Sequence, residues 1–410
     1  MKSSLSNNHI RQQMLQILNA ALHAVAPHRL VFEALQSEPQ AEIALIAIGK
    51  AAVGMLSGAR AALTGRVKQT LVITAAAYAA GLPRDVEWID GSHPLPDEKS
   101  LLAGEALTAF IQRQPARRKL IFLISGGSSA MVEALSPGIT LEHLQRVNQW
   151  LLGSGLAIHQ VNNVRKAMSR IKGGGLLSVI AGRCSSCLLI SDVQGDDPGS
   201  IGSGLLVADA PGGRQQLNDL QLPGWIQEML QYRADDGAEQ CQPELKIVAS
   251  NNSALKGAAS EAKRLGFTVH YHHQILQGDA VETAWKLADY LREAPSGIHL
   301  WGGETTVKLP SNPGKGGRNQ HLALAAAMRL CGCEDVLLLS AGTDGIDGNS
   351  DDAGALIDGA TVMRGEVQGL DAESHLQSAN TNQFLAQSGD LIHNGPTGTN
   401  VMDIVIACKL

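Results

Sequence analysis

Short apolar runs ending in Gly, Ser or Asp alternate along this chain with longer stretches of helical spacing, and that alternation points to α/β units on a mostly parallel sheet. The runs fall at 43–48, 70–74, 119–124, 186–190, 244–249, 298–301, 335–340 and 403–407. Helical patterns follow at 51–63, 97–111, 141–152, 253–265 and 319–330. At 410 residues the chain exceeds the size at which one core usually keeps growing, so two domains are expected. The least apolar and least periodic region spans 208–242 and contains Pro211-Gly-Gly213, Pro223-Gly224 and an acidic stretch at 234–240. A boundary near its end divides the chain into residues 1–240 and 241–410. Ligands of open parallel sheets gather outside the carboxyl ends of the strands, and those ends carry nearly all the unusual residues here.

Composition narrows the partners. The chain is 44% hydrophobic but only 3% aromatic, which leaves little material for the stacking platforms that hold single-stranded nucleic acid. A formal charge of −6 gives no general attraction to nucleic acid or to anionic membranes, though a local basic pocket for a small anion is compatible with it. No apolar stretch is long enough to span a bilayer, and the N-terminus lacks the apolar centre of a signal peptide, so a cytoplasmic protein is expected. Six scattered cysteines do not form a disulfide framework, and Cys184-Ser-Ser-Cys187 without a second pair reads as a structural thiol pair. His270, His272 and His273 lack acidic or cysteine partners at ligand spacing and read as a strand with polar faces.

The richest stretch is 302–320. It gathers Glu304, Thr305, Thr306, Lys308, Lys315 and Arg318-Asn319 around glycine-rich backbone, directly after the apolar run ending at Trp301. Glycine lets main-chain N–H groups approach a ligand, and Arg318 opens a helical pattern whose start is the positive end of the helix dipole. A phosphate or carboxylate is the expected guest.

Other strand ends carry complementary groups. Gly49-Lys50 sets a compact positive charge beside backbone amides, suited to a transferring phosphoryl group. Ser125, Gly126, Gly127, Ser128 and Ser129 follow the strongest strand pattern and form a cradle of N–H and hydroxyl donors, matching neither the Walker A nor the GxGxxG pattern. Asn163, Arg165 and Lys166, followed by Arg170 and Lys172 before three glycines, suggest a cationic helix end facing a ligand. Asp192, Asp196 and Asp197 stand at another strand end, with Asp192 closest to the strand and best placed as base or orienting group. A second acidic loop, 342–354, contributes Asp344 or Asp347 and lacks the terminal glutamate of a calcium loop. His93-Pro-Leu-Pro-Asp97 offers a rigid turn with one imidazole, and Gly395 to Asn400 offers small donors.

Taken in order, these motifs resemble the glycerate 2-kinase family, with a glycerate-kinase N-terminal region and a MOFRL C-terminal region. The resemblance covers nearly the whole chain: GK at Gly49, HPLPD at His93, SGGSSA at Ser125, NNVRK and SRIKGG from Asn162, SDVQGDD at Ser191, GGETT through GGRNQ, GTDGIDG at Gly342 and GPTGTN at Gly395. It implies a Rossmann-like first domain (1–240), a smaller MOFRL-type α/β domain (241–410), an active-site cleft between them, and transfer of the γ-phosphoryl of ATP to the 2-hydroxyl of D-glycerate with Mg2+. The family's functional lysine, aspartate and arginine fall on Lys50, Asp192 and Arg318. Substrate or phosphate contacts are expected from Ser125 to Ser129, Asn163, Arg165, Lys172, Glu304, Thr305 and Asn319, and metal contacts from Asp192 and Asp344. Small molecules are the expected partners, with a homodimer as candidate assembly. Departures stand at Ala167, Leu205, His321 and Asn394, where the family's usual residues are histidine, proline, glutamate and glycine. A nicotinamide-dependent hydroxypyruvate reductase and a non-catalytic sugar-acid sensor are the alternatives. The missing GxGxxG argues against the first; Lys50, Asp192 and Arg318 together argue against the second.

Overall fold

The computed structural model describes residues 2–156, 158–208, 217, 219–230 and 242–410. The boundary expected at residue 240, the Pro211-Gly-Gly213 turn and the acidic stretch at 234–240 lie outside the described residues. Two compact units emerge, one formed by Pro27–Val248 and the other by Met1–Ala26 with Ala249–Leu410. The N-terminal helix Lys2–Ala24 therefore belongs with the C-terminal part of the chain, not with the sheet that follows it in sequence. Its buried Met14, Ile17, Leu18 and Ala21 recur at helical spacing, a periodicity the reading of the sequence passed over.

In the Pro27–Val248 unit six strands form one sheet: β1 (Ile43–Ile48), β2 (Val67–Thr74), β3 (Glu87–Asp90), β4 (Lys119–Ile124), β5 (Ser185–Ile190) and β6 (Glu244–Ala249). Their order is β3-β2-β1-β4-β5-β6, and the β1–β2, β2–β3, β1–β4 and β4–β5 pairs are parallel. That is the order of doubly wound nucleotide-binding folds. Connections leave β1 toward β2 on one side while β4 continues on the other, so the loops after β1 and β4 part at a switch point. The unbroken burial of β1 and the nearly unbroken burial of β4 fit central strands covered on both faces.

The other unit holds β7 (Val269–Tyr271), β8 (Gly297–Gly303), β9 (Val336–Gly342), β10 (Gly354–Asp358), β11 (Leu391–Ile392) and β12 (Asp403–Lys409) in the order β11-β10-β9-β12-β8-β7. This sheet is mixed: β7 and β8 run parallel, whereas β12 is antiparallel to both β8 and β9. The core is aliphatic, as composition demands. In helix Arg318–Arg329, residues 323–327 are all buried, and the small alanines among them let it press closely on the sheet. His270 and His272 lie on and beside β7; the His272 ring stacks on Trp301 at 4.2 Å, and its Nε2 lies 3.1 Å from Nδ1 of His299. Among the described residues, no helix is long and apolar enough to cross a membrane.

Local chemistry explains several helix starts. Asp97 accepts from Lys99 N–H while Ser100 accepts from Asp97 N–H, a reciprocal cap on helix Glu98–Gln112. Asp279 accepts from Val281 and Glu282 N–H at the start of helix Ala280–Glu293. The N-terminal helix is tied down by charge: Arg11 reaches Asp358 at 2.8 Å and Asp390 at 2.6 Å, and Arg364 joins the same two carboxylates. Asp390 is buried, so removing a cation leaves a carboxylate that water cannot reach. Arg11→Met is expected to destabilise the protein by roughly 1–3 kcal/mol, less than a fully orphaned pair because Arg364 remains. Chemical denaturation checks this: an unchanged midpoint would show that the network adds nothing.

Candidate active site

The loops after β1 and β4 are stitched together by backbone. Lys50 N–H donates to the Gly126 carbonyl at 2.9 Å, and Ala51 N–H donates to Ser125 Oγ at 3.0 Å. Gly49 makes this approach feasible at φ +117°, because a Cβ there would lie 2.4 Å from Ser125 Oγ and 2.5 Å from the Ser125 carbonyl oxygen. Gly127, at φ +81°, turns the second loop. Neither Gly126 N–H nor Gly127 N–H has a protein acceptor among the described residues, which leaves both as donors for a ligand. Ser128 Oγ is buried without a hydrogen-bond partner among the described residues, and Ser129 Oγ pairs with Ser203 Oγ at 2.6 Å.

Asp192, just beyond β5, lays its carboxylate on this loop: a side chain at Gly126 would come within 2.0 Å of Asp192 Oδ2. Loss of solvent raises the Asp192 pKa, and the positive charge of Lys50 pulls against that rise. The same two causes act on His93 in one direction, burial first and Lys50 second, lowering its pKa to about 4. Lys50 Nζ stands 5.7 Å from the Tyr78 ring centroid, and the Tyr78 and His93 rings meet edge-on at 6.1 Å. Lys50, Asp192 and the residues 125–129 thus converge at the carboxyl ends of β1, β4 and β5. His93 and Tyr78 join them; the HPLPD turn had marked the imidazole, whereas nothing in the local sequence singled out Tyr78.

Other cationic residues expected at the substrate are committed elsewhere. Lys172 is buried and donates to Glu133 at 2.5 Å, so its ammonium completes an internal ion pair instead of facing a ligand. Arg165 donates from Nε to Asn148 Oδ1 at 2.9 Å, and burial lowers its pKa. Asn163 lies on the same helix, Ile158–Ala167, and is partly exposed. In the acidic loop after β5, Asp197 and not Asp196 makes the turn, accepting from Gly199 N–H and Ser200 Oγ.

The second unit revises the reading of residues 302–320. Arg318 is gripped by Asp403 through two bonds, Nε to Oδ2 at 2.6 Å and Nη2 to Oδ1 at 2.9 Å, while Nη1 meets Glu304 at 2.7 Å. Burial works against its charge, yet Asp403, Glu304 and Asp347 together hold the guanidinium above its ordinary pKa. The anion expected at the start of helix Arg318–Arg329 is supplied by the protein: Asp347 accepts from Asn319 N–H at 3.0 Å and Gln320 N–H at 2.8 Å. Asn319 is likewise committed, its side chain bonded to Asp347 and to Ser340. Thr305 is buried, and Asp344 turns Oδ1 to Ile346 N–H at 3.3 Å. Asn251, which sequence reasoning missed, supports the loop leading into β12 by donating to the Val401 and Asp403 carbonyls. Gly302 is required opposite it, since a Cβ there would sit 1.7 Å from Asn251 Oδ1.

Comparison with known proteins gives these arrangements a family. Residues 13–224 match the profile of a domain of unknown function, DUF4147, and residues 297–403 match the MOFRL family. A glycerate 2-kinase of Pyrococcus horikoshii is 33% identical, over 97% of each chain. A putative hydroxypyruvate reductase of Agrobacterium vitis is 33% identical, over 96% of this chain and 93% of that one. The crystal structure of a glycerate kinase from Thermotoga maritima superposes with a TM-score of 0.87 at 30% identity, covering 98% of this chain and 100% of that one.

Burial lifts the Asp347 pKa to about 7; the Gln320 and Asn319 N–H bonds oppose the rise, Asp403 adds to it and Arg318 opposes it. The folded value exceeds the ordinary 3.8, so this residue's contribution is fully present below about pH 4 and is lost as pH rises through about 7. Relative to wild type, Asp347→Asn should therefore gain stability between those limits. Denaturation midpoints of both proteins at several pH values measure the difference; a difference flat in pH would refute the assignment.

Proposed function

We infer from the glycerate 2-kinase family, to which this chain belongs, that it transfers the γ-phosphoryl group of ATP to the 2-hydroxyl of D-glycerate, giving 2-phosphoglycerate and ADP. The observation that carries the reading is the convergence of Lys50 and Asp192 on the Ser125 to Ser129 loop at the switch point of the first sheet. Ligands of such sheets bind there, outside the strand ends. Phosphoryl transfer depends on positioning and on compensating charge, and the cluster has groups for both.

In this scheme the free N–H groups of Gly126 and Gly127 hold phosphate oxygens. Lys50 spreads its charge over the oxygens of the transferring group. Asp192 accepts a hydrogen bond from the acceptor hydroxyl, and its raised pKa makes it a readier proton acceptor than an ordinary surface carboxylate. The hydroxyl oxygen bonds to phosphorus as the bond to the β-phosphate oxygen breaks, and the hydroxyl proton leaves toward Asp192. Mg2+ usually takes only one or two protein carboxylates, with phosphates and water completing its shell. Asp192 fits that donor role, because no other side chain hydrogen-bonds its carboxylate among the described residues; Asp344 is the weaker choice. When bound, the ion neutralises phosphate oxygens.

Arg318 is retained as a second functional cation on the family resemblance, with Glu304, Thr305 and Asn319 around it. Its grip on Asp403 adds a structural duty. A nicotinamide-dependent reductase remains the second reading, favoured by the strand order of the first sheet and by the Agrobacterium relative.

Incubation with ATP, Mg2+ and a panel of small hydroxy acids, followed by product identification, tests the kinase reading. NADH oxidation of hydroxypyruvate without ADP formation would replace it with the reductase. Lys50→Met should lower kcat by about a hundredfold or more, a larger loss than any change in the unfolding midpoint accounts for. Near-normal turnover of that variant would remove Lys50 from the mechanism. Arg318→Met should lower both turnover and the unfolding midpoint, because it strands the buried Asp403; retained stability would deny the structural duty.

A further inference from the structure

We propose that His93 is a substrate-binding residue of the phosphoryl-transfer site, its imidazole hydrogen-bonding to an anionic oxygen of a substrate, either the acceptor's carboxylate or a phosphate of the nucleotide. This rests on the kinase reading above. His93 follows the end of β3 and lies against the loop after β4, where a side chain at Gly127 would come within 3.0 Å of its Cδ2 and 3.3 Å of its Nε2. The absence of a Cβ at Gly127 is what admits the ring so close to the loop backbone. On another side its ring meets the Tyr78 ring edge-on, and Tyr78 in turn lies under Lys50 Nζ.

The ring is half-buried, yet neither of its nitrogens has a protein hydrogen-bond partner among the described residues. Neither nitrogen is sealed from solvent, so both are open to a ligand that enters the site. His299 shows the contrasting pattern of a histidine used for structure. Its Nε2 donates to the Pro295 carbonyl at 2.9 Å and its Nδ1 is met by His272, so both nitrogens are taken.

Charge favours an anion as the missing partner. Burial first, and Lys50 facing it from the end of β1 second, keep the His93 ring uncharged near neutral pH, where it offers one N–H donor and one acceptor. Asp192 faces the same lysine from beyond β5, and Tyr78 contributes a neutral ring. Asp97, on the segment of His93 itself, is turned to Ser92 and to the helix it caps. An anionic oxygen arriving here is attracted by Lys50 and oriented by the His93 N–H.

Steady-state kinetics of wild type, His93→Gln and His93→Ala, with D-glycerate and ATP varied separately, provide the test. His93→Ala should raise one KM about tenfold or more with a smaller change in kcat, and His93→Gln should recover part of the loss. A rise confined to glycerate assigns the carboxylate; a rise confined to ATP assigns a phosphate. Values within twofold of wild type for both substrates overturn the proposal while the kinase reading stands. A wild type that phosphorylates no glycerate overturns the kinase reading and this inference together. NMR of 13C-histidine-labelled wild type guards against variants that fail to fold: the His93 ring signal should move on adding D-glycerate or a non-hydrolysable ATP analogue. A signal unmoved at saturation with both overturns the proposal.

Discussion

The hydrogen bond from Lys50 N–H to the Gly126 carbonyl is the contact on which the first unit's chemistry depends. Parallel strands in the order β3-β2-β1-β4-β5-β6 send the loops after β1 and β4 away from each other, which opens the sheet at its carboxyl edge. The bond draws the first residues of those loops back together. It holds a cation at the rim of the opening with its main chain fixed, so none of that backbone order has to be gained on binding. Gly49 and Gly126 leave no slack in this arrangement: at each, a Cβ would collide with the neighbouring loop or with Asp192.

The second unit solves internally an electrostatic problem that its sequence poses as if for a ligand. A glycine-rich approach, an arginine and a helix start attract an anion, and here the anion is Asp347, buried across the first N–H groups of the helix. Asp403 and Glu304 then compensate Arg318. Asp403 adds to the burial that raises the Asp347 pKa, and the arginine beside them is what makes the cluster tolerable. Any anionic substrate reaching Arg318 has to share the guanidinium with these carboxylates, Glu304 being the exposed one and the easier to displace.

Fold class was legible because apolar runs and helical stretches differ in period. Central strands such as β1, β4 and β9 declare themselves by continuous burial. The edges did not: β3, with a half-exposed pattern, and the two-residue β11 lack the run length that marks a buried strand. Site legibility divides along a similar line. Lys50, Asp192 and the Ser125 loop sit at strand ends, where position alone implies function, and they converge. Lys172 and Asn319 also looked like ligand groups, yet their partners, Glu133 and Asp347, are remote in sequence. No local pattern announces a pair separated by so many residues. Helix Lys2–Ala24 escaped notice for a related reason: it finds its apolar partner, helix Asn251–Arg264, at the far end of the chain.

One cation sets the protonation of two neighbours in opposite senses of usefulness. Lys50 lowers the pKa of Asp192, keeping a carboxylate that burial would otherwise neutralise closer to its charged, proton-accepting form. It also lowers the pKa of His93, so that a ring already disfavoured as a cation stays neutral. Both effects arise from the same field and weaken together when that field is compensated by incoming phosphate. In the reaction proposed above, that would make Asp192 a stronger base at the moment an acceptor hydroxyl needs one. The main-chain bond from Lys50 to Gly126 fixes where that charge starts, and it lets a single strand end tune the cluster.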